Sequence, residues 1–270
     1  MVRLGHINYL NCIPVHGGII TGKIPFDGEL VFGTPTQLNK MLELGKIDVS
    51  PSSSAEVLKG YKVLPALSIS GKVDVKSIIL VTKKPVTEIK AGLFYVTSHS
   101  ATSVLLLKVI LKEFYGIKAE YQVFDPETHS LSSLIKDAEG VLFIGDYALQ
   151  LKNTDTFFNT DLAEVWYKNT GLPFTFALWQ LSKSLTDPAV IKYVYETLKA
   201  SFSYFKENTL QLAEMFSDQF KMTPKDILMY WDSLSFELNE SHLKSLGLYF
   251  KLAKKHCLIE KEPIIDIVKI

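Results

Sequence analysis

Hydroxyl side chains gather at three places in this sequence, each between a strand-like run and a helix-like one: Thr34 with Thr36, Ser52 to Ser54, and Ser98 to Ser103. A helix start offers free backbone N–H groups and the positive end of the helix dipole, and Ser or Thr adds donors without bulk, so such places suit an anion. Capping alone accounts for any single cluster. Their repetition in both halves of the chain points to a shared anionic ligand. Arg3 is the only arginine, so guanidinium forks cannot be the main anchor for that anion. Lysines, hydroxyls and backbone N–H groups must hold it instead.

Asn11 lies in the turn from Asn8 to Pro14, directly after the first strand-like run. There it either satisfies the turn backbone or exchanges hydrogen bonds with a substrate hydroxyl. Gly145 and Asp146 close another apolar run. A carboxylate at that point serves as base, acid or hydroxyl ligand, or else caps the following helix. Cys12 and Cys257 stand far apart and outside any CxxC or His pairing, which reads as two reduced thiols without zinc or disulfide. Cys12 has no base beside it in sequence and is read as inert. His6, His16 and His99 lack metal-type spacing and read as packing residues, with His99 held in reserve because it sits inside the serine-rich loop. Trp166, Tyr167, Phe174, Phe176 and Trp179 read as core and hinge packing, Phe174 being the one ring offered to a ligand. No GxGxxG, Walker, HExxH or GxSxG motif occurs, so nucleotide, metalloprotease and serine-hydrolase readings lack support.

The elements that must position these residues alternate. Val2 to Ile7 and Glu29 to Phe32 read as strands, Thr34-Pro35-Thr36 opens an amphipathic helix, Ile47 to Val49 reads as a strand, and Ala55 to Tyr61 as a helix. After the extended run Val75 to Val81 the pattern restarts, with strands at Leu93 to Val96, Tyr121 to Phe124 and Val141 to Ile144. Helices are read at Val104 to Tyr115 and near Ser130 to Lys136. Beyond Asp187-Pro188 the chain reads as helices over about 188–207, 209–220, 224–234 and 240–256. Such alternation predicts an α/β protein with parallel sheets. Two lobes follow, the first from 1–84 plus 178–270 and the second from 85–177. Two crossings join them, the C-terminal helices pack on the first lobe, and the site lies in the interlobe cleft, at the carboxyl ends of strands.

At 270 residues, with 47% hydrophobic and 21% charged residues, the chain is long enough for one large or two modest domains. Lys+Arg and Asp+Glu balance at 29 each, so no global field draws nucleic acid or an anionic membrane. No apolar run approaches a spanning length, and Met1 to His6 enters a strand pattern at once. A cytoplasmic location is expected.

Six motifs in order carry a resemblance: Tyr9-Leu10-Asn11 with Pro14, Thr34-Pro35 with Leu38-Asn39, Ile47 to Pro51 with Ser53-Ser54, Ser100 to Val104, Ile144-Gly145-Asp146, and Thr170-Gly171-Leu172-Pro173-Phe174. The set spans residues 3 to 179 and resembles the menaquinone-biosynthesis family of the futalosine route. Of its branches, the Tyr-Leu-Asn start and the Thr-Gly-Leu-Pro-Phe segment are similar to the chorismate dehydratase branch; the sister branch forms 1,4-dihydroxy-6-naphthoate. The resemblance implies a two-lobed type II periplasmic-binding-protein-like fold and no cofactor. Its small-molecule substrate would be chorismate, handled by a monomer or homodimer. Catalytic roles fall on Asn11 and Asp146. Substrate-binding roles fall on Tyr9, Thr34, Ser53, Ser54, Ser77, Ser100, Thr102, Ser103, Gly145, Thr170, Gly171 and Phe174. The alternatives are that sister naphthoate-forming enzyme and a non-catalytic small-anion receptor on the same fold.

Overall fold

The computed structural model describes residues 1–151 and 156–270. The chain opens with β1 (Val2–Ile7), α1 (Ile13–Ile20), β2 (Gly28–Gly33), α2 (Pro35–Glu43), β3 (Val49–Ser53) and β4 (Lys62–Gly71). It continues with β5 (Ile78–Thr82), β6 (Ala91–Thr97), α3 (Ala101–Glu113), β7 (Lys118–Phe124), α4 (Leu131–Leu134), β8 (Gly140–Ile144) and α5 (Gly145–Leu149). Then come β9 (Phe158–Asp161), α6 (Leu162–Thr170), β10 (Phe174–Leu181), α7 (Pro188–Glu207), α8 (Thr209–Phe220), α9 (Pro224–Ser233), β11 (Leu234–Ser235) and α10 (Glu240–Lys255).

Two sheets result, ordered β11-β4-β10-β3-β1-β2 and β7-β6-β8-β5-β9. They belong to two compact units. The first comprises Met1–Ser70, Phe176–Asn239 and Ile264–Ile270, and the second Gly71–Thr175 and Glu240–Pro263. The α/β reading holds, but both sheets are mixed where parallel ones were expected. β1 runs parallel to β2 and β3, whereas β10 returns antiparallel to β3, and β5 is antiparallel to β8 and β9. β10 also explains why β3 is longer than the run Ile47 to Val49. It supplies ladder partners from Ala177↔Ser53 to Leu181↔Val49, drawing the serine-rich segment into the sheet. The helix expected from Ala55 is a 3-10 turn over Ser54–Lys59, stopped by Gly60 at φ 77 and followed by β4.

The sequence reading put the first border near residue 84 and every C-terminal helix on the first lobe. The contacts put the border at Gly71, because β5 is laddered to β8 and β9, and they place α10 in the second unit. The apolar face of α10 explains its place. Tyr249 stacks edge-on against Trp166 and Phe174, its hydroxyl donates to the Thr102 carbonyl at 3.2 Å, and Trp166 Nε1 donates to Ser245 Oγ at 3.0 Å.

Local chemistry sets the element starts. Thr34 closes a capping box on α2, accepting from the Gln37 N–H while Gln37 Oε1 accepts from the Thr34 N–H at 2.9 Å. Pro35 occupies the first turn, and Leu38 and Leu42 face inward. The second unit closes over a core of Ile79, Val81, Phe124, Leu134, Ile135, Val141, Phe143 and Ala148. Among the described residues no helix is long and apolar enough to cross a membrane.

Gly5 lets β1 and β3 meet. A Cβ there would lie 2.4 Å from Ser50 Oγ and 2.9 Å from Ser50 Cβ. Gly5→Ala is expected to destabilise the protein by about 1–3 kcal/mol, the usual cost of overpacking a close interior. Urea unfolding would show this as a lowered midpoint, and adding Ser50→Gly should return most of the loss.

Candidate functional site

In the first unit the parallel neighbours β2, β1 and β3 end along one edge of the sheet. That edge gathers Tyr9 and Asn11 after β1, Thr34 after β2, and Ser53 and Ser54 at the end of β3. The sequence had placed all five in the site. Asn11 sits in a single 3-10 turn, Leu10–Cys12. The turn is pinned by the Tyr9 carbonyl, which accepts from the Cys12 N–H at 3.0 Å, and by Trp231 Nε1, which donates to the Leu10 carbonyl at 3.0 Å. Thr34 is partly committed by its capping box, whereas Ser53 makes no side-chain cap.

Two amide oxygens here are buried without a hydrogen-bond partner among the described residues: Asn11 Oδ1 and Gln180 Oε1. Each such group costs about 1–3 kcal/mol unless something donates to it. Asn11 therefore does not spend its side-chain oxygen on the turn backbone. Gln180 donates through Nε2 to the Ser53 carbonyl at 2.9 Å and the Ser52 carbonyl at 3.3 Å, fixing the end of β3. It was not among the residues singled out from sequence. Its signal was there, a lone amide in the apolar run Phe174 to Leu181.

The sole arginine is absent from this edge. Arg3 Nη2 and Nε grip the Asp48 carboxylate at 2.8 and 3.1 Å, and Nη2 also donates to the Gly45 carbonyl at 2.8 Å. Burial pushes the Asp48 carboxyl up, but the side-chain and backbone hydrogen bonds from Arg3 outweigh it and hold the group below its usual range.

The second unit gathers its own set. β6 and β8 are parallel, and β5 enters antiparallel beside β8, with Ile78 opposite Ile144. Ser77, Ser100 to Ser103 and Gly145-Asp146 therefore share one edge. Ser100 caps α3, its Oγ accepting from the Ser103 N–H at 3.1 Å and donating to Ser103 Oγ at 3.0 Å. Gly145 takes φ 58, a left-handed conformation suited to glycine, and its N–H donates to the Ser77 carbonyl at 2.7 Å. Asp146 follows in the first turn of α5, half-buried.

Asp161, unremarked in the sequence, holds this corner. Its Oδ2 accepts from the N–H groups of Val75 and Lys76 at 2.9 and 2.6 Å, and its Oδ1 from those of Ala163 and Glu164 at 2.9 and 3.2 Å. Burial raises its carboxyl above the usual value despite these four bonds. Its capping of α6 through Ala163 and Glu164 is local, but its bonds to Val75 and Lys76 come from about 85 residues away, so no sequence pattern announces that second role.

Four expected binding residues have structural places of their own. Thr170 ends α6, its hydroxyl donating to the Trp166 carbonyl at 2.7 Å, and Gly171 terminates that helix at φ 69. Phe174 is fully buried against Trp166 and Tyr249, with ring centroids 5.3 and 5.1 Å apart. Thr102 is likewise fully buried.

Two of the three histidines read as lacking metal-type spacing come together. His6 and His16 lie side by side, Nδ1 to Nδ1 at 3.2 Å, and Trp179 Nε1 donates to His16 Nε2 at 3.0 Å. With Cys12 they bring ligand-type atoms within 4.8 Å of one another. Burial lowers His6 to about 3 and His16 well below its usual value, and pushes the Cys12 thiol up to about 12. Cys12 is thus no nucleophile at neutral pH.

Comparison with known proteins adds the context. A family model described as menaquinone biosynthesis matches residues 2–255. A Thermus thermophilus protein named chorismate dehydratase is 28% identical over 225 residues, covering 76% of this chain and 79% of that one. One of the same name from Campylobacter jejuni is 27% identical over 260 residues, covering 93% and 96%. Among solved structures, an Archaeoglobus fulgidus protein superposes with a TM-score of 0.79 at 16% identity, covering 96% of this chain and 98% of that one. The periplasmic aliphatic sulphonate binding protein of Escherichia coli gives 0.67 at 14% identity, covering 98% and 89%. The fold is therefore periplasmic-binding-protein-like, as the resemblance implied.

Proposed function

We propose, for a chain that belongs to the menaquinone biosynthesis family, the elimination of water from chorismate to give 3-[(1-carboxyvinyl)oxy]benzoate. The observation that carries this choice is the shared name of the two relatives, which between them align with most of the chain. The geometry supports it with uncharged donors in each unit and two unsatisfied amide acceptors, Asn11 Oδ1 and Gln180 Oε1, in the first.

Chorismate carries a ring carboxylate, an enolpyruvyl ether at C3 and a hydroxyl at C4. Breaking the C3–H bond sends its electron pair into the ring diene toward the ring carboxylate. That pair returns as the C4–O bond breaks, the hydroxyl leaves with the proton as water, and the ring becomes aromatic. The protein's task is to stabilise charge growing on the carboxylate. Preorganised N–H and hydroxyl donors such as those of Ser53 and Ser54 and the Ser103 hydroxyl suit it, each worth on the order of 3 kcal/mol when well placed. The substrate's own enolpyruvyl carboxylate, adjacent to C3, takes the proton, and Asn11 Oδ1 accepts a hydrogen bond from the leaving hydroxyl. Asp146 is the competing base.

Incubation of the purified chain with chorismate tests this, with the aromatic product followed by ultraviolet absorbance and mass. Conversion with loss of one water is expected. Tight binding without conversion would favour a small-anion receptor, and indifference to chorismate would overturn both. Asp146→Asn separates the two bases: loss of turnover with product binding intact assigns the proton to Asp146.

A further inference from the structure

Trp179 on β10, His16 on α1 and His6 on β1 form a buried row that the mechanism above leaves unused. All three belong to the first unit and are almost fully removed from solvent. Their hydrogen bonds fix where each proton sits. An indole nitrogen only donates, so His16 Nε2 accepts from Trp179 at 3.0 Å. A neutral imidazole carries a single N–H, so His16 bears its proton on Nδ1 and gives it to His6 Nδ1 at 3.2 Å. His6 Nδ1 is thereby an acceptor, and the one proton of His6 stands on Nε2. That N–H meets no acceptor among the described residues. The His6 ring stands edge-on to Phe32, 5.2 Å away, a half-exposed side chain opposite it in the ladder near the carboxyl end of β2.

We propose that Trp179 and His16 are positioning residues that lock His6 in its Nε2–H tautomer, so that His6 offers an uncharged N–H donor to an oxyanion of the ligand held at the carboxyl end of β1. That the oxyanion is a carboxylate of chorismate rests on the preceding reading; the order of protons along the row does not. Burial supports the assignment by keeping both rings neutral. A neutral donor strengthens as charge develops opposite it, without first forming an ion pair with the substrate.

A metal on His6, Cys12 and His16 is the competing use of this cluster. An ion drawing on both Nδ1 atoms would leave the His16 proton on Nε2, where it would face the Trp179 N–H across 3.0 Å. The hydrogen bond from Trp179 therefore favours the relay over the ion.

Long-range proton–nitrogen NMR of the whole chain, labelled at histidine nitrogen, reads the tautomers directly. His16 is expected as Nδ1–H and His6 as Nε2–H. Trp179→Phe removes the donor and should mix or reverse both tautomers, with the fold retained by circular dichroism. The same variant should lose about tenfold or more in kcat with KM little changed. His6→Gln keeps an N–H near the Nε2 position and should retain most turnover, whereas His6→Leu should lose about 10²-fold, the usual loss for one oxyanion donor. Unchanged tautomers in Trp179→Phe, equal activity of the Gln and Leu variants, or stoichiometric uptake of Zn²⁺ with displacement of the His6–His16 bond would each overturn the proposal. A parent chain inert toward chorismate would sink the dehydratase reading, while the spectra would still decide the relay.

Discussion

Asn11→Ala should lower kcat on chorismate by about 10²- to 10³-fold while leaving the protein as stable as before, or more so by up to about 1 kcal/mol. The two effects have one cause. Asn11 Oδ1 is buried without a hydrogen-bond partner among the described residues, so the free protein bears the desolvation of an acceptor it does not use. Truncation removes that burden from the fold and, with it, the group that would meet the departing hydroxyl. A purely structural asparagine would behave in the opposite way, losing stability and sparing turnover. Asn11→Asp sharpens the reading, because it keeps the shape and an acceptor but sets a negative charge against a dicarboxylate. It should raise KM as well as lower kcat. Steady-state kinetics beside thermal unfolding measures both, and near-full turnover in Asn11→Ala would remove the residue from the mechanism.

Stability should fall steeply in mild acid, and the histidine row sets the window. His6 is held near 3 by burial and His16 is depressed by burial and then by the neighbouring His6, whereas an unfolded histidine titrates near its ordinary 6.5. Below pH 6.5 the unfolded chain binds protons that the native rings refuse, so stability drops with falling pH. It drops by about 1.4 kcal/mol per pH unit for each ring, and the loss from His6 levels off near pH 3. From pH 6.5 to 4.5 His6 alone costs about 3 kcal/mol, and His16 adds in the same direction. Cys12, the other titratable group in the cluster, stays a thiol throughout. Urea midpoints at half-unit steps between pH 7 and 4.5 would show the slope. His6→Gln should flatten it by about one proton's worth, and a flat profile in the parent would mean that the rings are not buried neutral.

Much of the fold was legible because its early elements carry local signals. Thr34, Pro35 and Gln37 spell out a capped helix start, and the apolar runs of β1, β6 and β8 are bounded by turns. The shared edge of the first sheet was legible for the same reason: Asn11, Thr34 and Ser53 lie at or just after the ends of strands that are parallel neighbours. What was not legible depended on distant chain. The Ser50 to Ser53 segment reads as a loop until β10 arrives beside it. β4 is disguised by Pro65 and by Ala66, which takes φ 57 within the strand. His6, His16 and Trp179 lie on a strand, a helix and a returning strand, so no spacing rule links them. Asp161 draws on N–H groups about 85 residues away in sequence, and Gln180 shows its use only when Ser52 and Ser53 are placed across from it.

Arg3 is tied by its guanidinium to Asp48 and the Gly45 carbonyl, so the chain's one permanently charged planar cation is a rivet in the scaffold. On the dehydratase reading, recognition of the anion would then fall to lysines and to dipoles, and the pull of a dipole is feeble in bulk solvent and strong only in dry surroundings. Grip and dehydration would then be a single event on that reading: the ligand would be held firmly at the moment water is driven off, which is also the moment at which its electrons are free to move.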